Sequence, residues 1–297
     1  MYFPVADIEL NPWLPPLVAF TISFFTSMGG VSGAFILLPF QVSVLHFTSP
    51  AVSATNHLFN IVAIPSGVYR YIKEGRMVWP LTWAVIIGTL PGVLVGTLLR
   101  IKYLPDPVSF KRFAALVLLY IGIRLIRDII KGSPLPAGKI PRNRLPETTR
   151  VLDQNFSLRH ISFSFKGETF QLSTAPVMAL SLVVGIIGGV YGIGGGAIIA
   201  PFFVSFFGLP VYTVAGAALM GTLITSVAGV SFFQVIAPLY PHLAIAPDWQ
   251  LGLLFGLGGA AGMYCGARLQ RLVPATIIKS ILAFAVLFTA IRYLGIL

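Results

Sequence analysis

Ser53, Asn56, His57 and Asn60 fall at i, i+3, i+4 and i+7 of the segment AVSATNHLFN, so one polar stripe, with Thr55 beside it, runs along an otherwise apolar helix. Inside hydrocarbon, amide and hydroxyl groups need partners, supplied either by neighbouring helices or by a hydrated substrate path. As donors they can replace part of the water shell of an anion's oxygens without forming a permanent positive trap. Just upstream, Gly30-Val31-Ser32-Gly33 interrupts an apolar run with glycines. A helix restarting there presents free backbone N–H groups and the positive end of its dipole, which favours an anion. Gly192, Gly194, Gly195 and Gly196 build a second such interruption, followed by a weaker polar set, Thr222, Thr225 and Ser226. These residues form the expected substrate-binding set. Close helix packing is the competing role of the glycines, interhelical hydrogen bonding that of the stripe, and a packed neutral ring that of His57, which could equally serve as substrate donor or proton relay.

The elements that must position these groups follow from composition. The chain has 297 residues, 56% hydrophobic and only 10% charged, with mean hydropathy +0.88, which excludes an ordinary soluble domain and a disordered chain. Cys265 is the only cysteine, so neither a disulfide scaffold nor a Cys/His metal cluster can form, and no cofactor is expected. The net charge of +11 stands in short basic stretches between long uncharged ones. That pattern belongs to membrane-protein loops and not to a nucleic-acid-binding surface. Between Glu9 and Arg70, and again between Glu168 and Asp248, no side chain is charged. Each gap exceeds the ~20 apolar residues that cross a bilayer core, so each holds more than one membrane segment. The N-terminal residues lack a basic region and a small-residue cleavage pattern, so the first apolar segment is expected to be retained.

Apolar segments fall at about 16–45, 51–69, 78–99, 110–130, 175–208, 212–235, 249–267 and 275–295. They lack period-2 alternation, so an all-α polytopic membrane protein is predicted. Residues 16–45 are too long for one crossing, and each arm of ~20 Å is too short, so a helix broken at Gly29 to Gly33 fits better. Residues 131–174 read as a soluble linker, basic and proline-punctuated at first, then alternating like a β-hairpin about Lys166-Gly167.

The two flanking halves repeat. Gly30 to Pro39 overlays Gly192 to Pro201 with an offset of 162, and Gly67 overlays Gly229 likewise. After a small insertion Gly88, Gly92 and Gly96 answer Gly258, Gly262 and Gly266, while Lys111 and Arg124 answer Lys279 and Arg292. A first membrane repeat over 1–130, a linker over 131–174 and a second repeat over 175–297 are therefore expected, with a site at the repeat interface. A re-entrant hairpin plus three transmembrane helices per half makes the repeats inverted, whereas four plain crossings make them parallel. The four recurring basic side chains lie near helix ends, where long cations reach for headgroups, or line a vestibule that attracts anions.

GGVSGAFILLP, AVSATNHLFN, the basic turn YIKEGRMVW, the Gly-x3-Gly-x3-Gly helix and YGIGGGAIIAPF resemble the TauE/SafE (sulfite exporter, TSUP) family of membrane transporters over residues 17–130 and 176–296. The resemblance implies transport of sulfur-containing anions such as sulfite or small organosulfonates, often outward, across the cell membrane. The partners expected are thus a small anionic substrate and membrane lipid, with a homo-oligomer open.

No Asp or Glu stands within an apolar segment, which leaves no carboxylate proton relay, and an inside-negative potential drives anion efflux at ~2.3 kcal/mol per charge per 100 mV. Export without obligatory coupling is the simpler expectation. Loops 70–77, 131–174 and 268–274 are expected inside, the N-terminus and loop 236–248 outside, with the basic loop 100–112 discordant. Two alternatives share these residues. An anion channel differs only in its gates, and a serine-dependent intramembrane enzyme would use Ser32 of the G-x-S-G match with His57 as base.

Overall fold

A computed structural model describes residues 1–28, 32–130, 150–157, 159–165, 167–269 and 275–295. It is mostly helical. After a small N-terminal hairpin, β1 (Tyr2–Phe3) with β2 (Ile8–Glu9), come α1 (Leu14–Met28), α2 (Ala34–Ser43), α3 (Ala51–Ala63), α4 (Pro65–Lys73), α5 (Trp79–Lys102) and α6 (Pro107–Ile130). A three-stranded antiparallel sheet follows, β3 (Leu152–Phe156), β4 (His160–Phe165) and β5 (Glu168–Ser173). The chain ends with α7 (Thr174–Tyr191), α8 (Gly196–Phe206), α9 (Val211–Ile236), α10 (Trp249–Leu269) and α11 (Ala275–Tyr293). Among the described residues, α5, α7 and the stretch Thr213–Leu239 are long and apolar enough to cross a membrane. At 1.5 Å per residue α5 spans ~36 Å, whereas α2 and α8 span only ~15 Å each and cannot cross.

Both glycine-rich interruptions fall between helices. The first separates α1 from α2, and Gly29, Gly30 and Val31 lie outside the described residues. The second separates α7 from α8, where Gly192 (φ +79°) and Gly194 (φ +69°) take left-handed conformations that L side chains resist. Segment 51–69 departs from one uninterrupted helix: Pro65 has no N–H to give, and the helix restarts there as α4.

Glycine ladders fix how the helices run. Gly88, Gly92 and Gly96 of α5 lie against Met178, Leu182 and Ile186 of α7, so close that a Cβ at Gly92 or Gly96 would overlap the backbone there and one at Gly88 would overlap the Cβ of Ser181. Gly258, Gly262 and Gly266 of α10 lie equally close to Pro16, Phe20 and Phe24 of α1. Register rises together in both pairs, so each runs parallel. Gly252 and Gly256 of α10 meet Leu58 and Val62 of α3, which makes α3 parallel to α10 and to α1. Ser32 meets Asn60 and Ala34 meets Asn56, so α2 turns back between α1 and α3. Gly194 and Gly196 meet Thr222 and Ala218, so α8 turns back against α9 in the same way. Finally, His57 faces Gly229 while Gly67 faces Leu219, and α3 with α4 crosses α9 antiparallel.

The starts of α1, α3 and α10 therefore share one face of the molecule. Asp248 pins it: its carboxylate accepts the N–H groups of Leu251 in α10 and of Val5 and Ala6 at the N-terminus, while its own N–H donates to Thr55. The sheet sits at the opposite face, where Gln154 bonds Trp79 N–H and Met77 C=O. β4 and β5 form the hairpin expected about Gly167 (φ +82°), with Phe165 paired to Glu168. β3 joins its edge, although LDQNF carries no alternation. The basic stretch 131–149 and loop 270–274 lie outside the described residues.

Candidate functional site

The polar stripe of α3 lies between the two interruptions. Asn56 Nδ2 donates to the carbonyl of Ala34, at the start of α2, at 3.0 Å, and to that of Gly192, in the second interruption, at 3.1 Å. One turn on, Asn60 Oδ1 accepts the Ser32 hydroxyl at 2.6 Å, and its Nδ2 donates to Ile193 C=O at 3.2 Å. Ser53 donates to Val190 C=O at 3.0 Å. Two side chains that the sequence reading passed over complete the link. Gln41 Nε2 donates to Asn56 Oδ1 at 3.3 Å, and the Tyr191 hydroxyl donates to Phe35 C=O at 3.0 Å. Gln41 was detectable as a lone amide in an apolar arm; Tyr191 carried no signal beyond standing next to the glycines.

Gly192 must be glycine here twice over, for its φ and because a Cβ would overlap the backbone of Ser53. Gly33 ends the first interruption, with the Ser23 and Thr26 hydroxyls against it. Ser32, Ser53, Asn56 and Asn60 are all buried. Ser23 Oγ, Gln41 Oε1 and His57 Nε2 are buried without a hydrogen-bond partner among the described residues. Such atoms are costly in a closed interior, and a ligand with an oxygen acceptor for Ser23 or a hydroxyl donor for Gln41 would satisfy those two.

The second-half set is placed differently. Thr222 and Thr225 spend their hydroxyls on α9's own carbonyls, those of Ala218 and Gly221. They form the wall that Gly194 and Gly196 approach, while Gly195 packs on Thr89 of α5. Ser226 meets His57 Nδ1 at 3.3 Å. Thr55 points away from the interruptions to Asp248. Ser32 is paired with Asn60 and His57 with Ser226, so the Ser32–His57 dyad of the enzyme alternative is not formed. Gly30 lies outside the described residues, as does the side chain of Lys279. Outside the helices, Asp106 caps α6: hydrogen bonds from the backbone N–H of Ser109 first, and then of Val108, hold its carboxyl below the usual value.

The family model of the sulfite exporter TauE/SafE matches residues 16–293. The probable membrane transporter protein YdhB of Bacillus subtilis (strain 168) is 27% identical over 119 residues, covering 40% of this chain and 45% of that protein. The match thus spans less than half the length of that curated relative. No solved structure matches. From α1 to the end of α11 the sequence follows one family model, and the chain belongs to the sulfite exporter TauE/SafE family.

Proposed function

We propose that the protein is a carrier of small sulfur-containing anions, sulfite or organosulfonates, in the cell membrane, working in the direction of export. The observation that carries this reading is the clamp of Asn56 and Asn60, which holds both glycine interruptions to one helix. The start of α2 and the carbonyls of Gly192 and Ile193, just before α8, then lie against the same polar stripe, and the dipoles of α2 and α8 favour an anion near their starts. The halves are inverted repeats in this reading. The parallel pairs α5 with α7 and α1 with α10 exchange the first helix of each half onto the glycine helix of the other. The antiparallel crossing of α3 with α9 turns the second half over. Residues 131–174 join the halves as a linker, and the interface between the halves is the place to expect alternating access.

Among the described residues, Arg100, Lys102, Lys111, Arg112 and Arg292 belong to the face of the N-terminus, while Arg70, Lys73, Arg76, Arg124, Arg127, Arg150, Arg159 and Arg268 belong to that of the sheet. The positive-inside rule therefore puts that face outside and the sheet inside. Efflux of an anion in this orientation runs with the membrane potential.

Counterflow of labelled sulfite and of a small organosulfonate in proteoliposomes tests the reading. Saturable exchange, weakened in Asn56→Ala, is the expected result and separates a carrier from a channel. Absence of exchange of both anions by folded, inserted protein overturns it.

A further inference from the structure

Arg100, in the last turn of α5, is fully buried. Its guanidinium lies 3.8 Å from the centroid of the Phe110 ring and donates to the carbonyls of Leu104 and, at 3.0 Å, Thr48. Two carbonyls, a ring face and the charge of Asp106 offset part of the cost of taking this charge out of water, but Asp106 forms no ion pair with it and no carboxylate stands within 4 Å of it among the described residues. Its Nε has no partner there either. Two hydroxyls share this condition: Thr97 Oγ1, three residues earlier on the same face of α5, and Ser49 Oγ, next to the Thr48 carbonyl that Arg100 holds.

These groups stand on the outward end of the proposed path. Gly96, beside Thr97, packs on Val190, whose carbonyl accepts the Ser53 hydroxyl at the start of the polar stripe. Ile101 packs in one apolar cluster with Ala54 of α3 and with Phe233 and Ile236 near the end of α9. A buried cation, a free guanidinium N–H and two idle hydroxyls form the donor set that an oxyanion satisfies. The hydroxyl of Thr97 is not repeated in the second half, where the offset that takes Gly96 to Gly266 takes it to Ala267.

We infer that Arg100, Thr97 and Ser49 form a second anion site, for sulfonate or sulfite oxygens, on the outward side of the clamp formed by Asn56 and Asn60. This rests on the carrier reading, in which the anion passes from one site to the other. Equilibrium binding of radiolabelled methanesulfonate to the purified full chain tests it. Wild type is expected to bind two equivalents. Thr97→Val, which keeps the side-chain shape, and Arg100→Lys, which keeps the charge, should each lose one or bind it at least tenfold more weakly, and Asn56→Ala should lose the other. Unchanged stoichiometry and affinity in both Thr97→Val and Arg100→Lys overturns the second site, whatever Asn56→Ala does. One equivalent that needs Arg100 and Thr97 but not Asn56 upholds it and removes the clamp as a site. No binding by folded wild type overturns both.

Discussion

The Ser32 hydroxyl donates to Asn60 Oδ1 across 2.6 Å with both side chains buried, and this bond fastens the first glycine interruption to α3. Ser32→Ala leaves the Asn60 oxygen unpaired, a cost of about 1–3 kcal/mol for a buried acceptor. The variant is expected to melt several degrees lower and to exchange anions several-fold more slowly, while Ser32→Thr retains the bond and most of the exchange. Thermal melts of the purified protein with counterflow in parallel check this; a Ser32→Ala protein equal to wild type in both would refute the clamp.

The glycine ladders make a separate prediction. Gly92 and Gly262 occupy matched places, each facing a main-chain carbonyl, of Leu182 and of Phe20. Backbone cannot yield as a side-chain tip can, so Gly92→Ala and Gly262→Ala should each force the helix pairs apart and sharply reduce the yield of folded protein. Gly208, with nothing within 4 Å of the place a Cβ would take, has only its φ of +64° to lose. Gly208→Ala should therefore cost about 1 kcal/mol. Detergent-extracted yields by size-exclusion chromatography compare the three.

Much of this arrangement was legible in the residues. Charge-free gaps read as membrane segments because a bilayer core excludes charge, and the glycine breaks read as half-helices because each arm is too short to cross alone. The alternation about Gly167 read as a hairpin for the same kind of local reason. β3 did not, because its pairing comes from the edge of β4 and not from its own pattern. Periodicity placed Asn56 and Asn60 on one face, but could not say that this face meets both interruptions. That depends on α7 docking onto α5 of the other half, a long-range contact. The symmetry of the sequence also suggested matched polar sets, whereas Thr222 and Thr225 turn their hydroxyls to their own helix.

Thr55 separates position in the stripe from position at the site. Its hydroxyl oxygen accepts the Asp248 N–H at 2.9 Å and faces neither interruption. Thr55→Val should destabilise the α9–α10 connection by roughly 1 kcal/mol while leaving the affinity for methanesulfonate within twofold of wild type. Asn56→Ala should do the reverse in affinity. Paired melts and binding isotherms decide it, and a Thr55→Val protein with weakened anion binding would return Thr55 to the site.

His57 faces Gly229, and at the matched position of the other half Leu219 faces Gly67. A Cβ on Gly229 would stand 2.9 Å from His57 Cδ2 and 3.0 Å from Nε2, so the ring fills the space the glycine leaves. The ring also lies 6.4 Å from that of Phe233, with Nδ1 held by Ser226. An apolar side chain does the corresponding work in the second half, so the role argued for His57 is packing between α3 and α9. His57→Leu should fold and keep exchange within about threefold of wild type, with the same dependence on pH between 5.5 and 8, whereas Gly229→Leu should not fold. A proton relay requires the opposite: exchange by His57→Leu that collapses or loses its pH dependence, with the protein still folded, would assign the ring to the transport step.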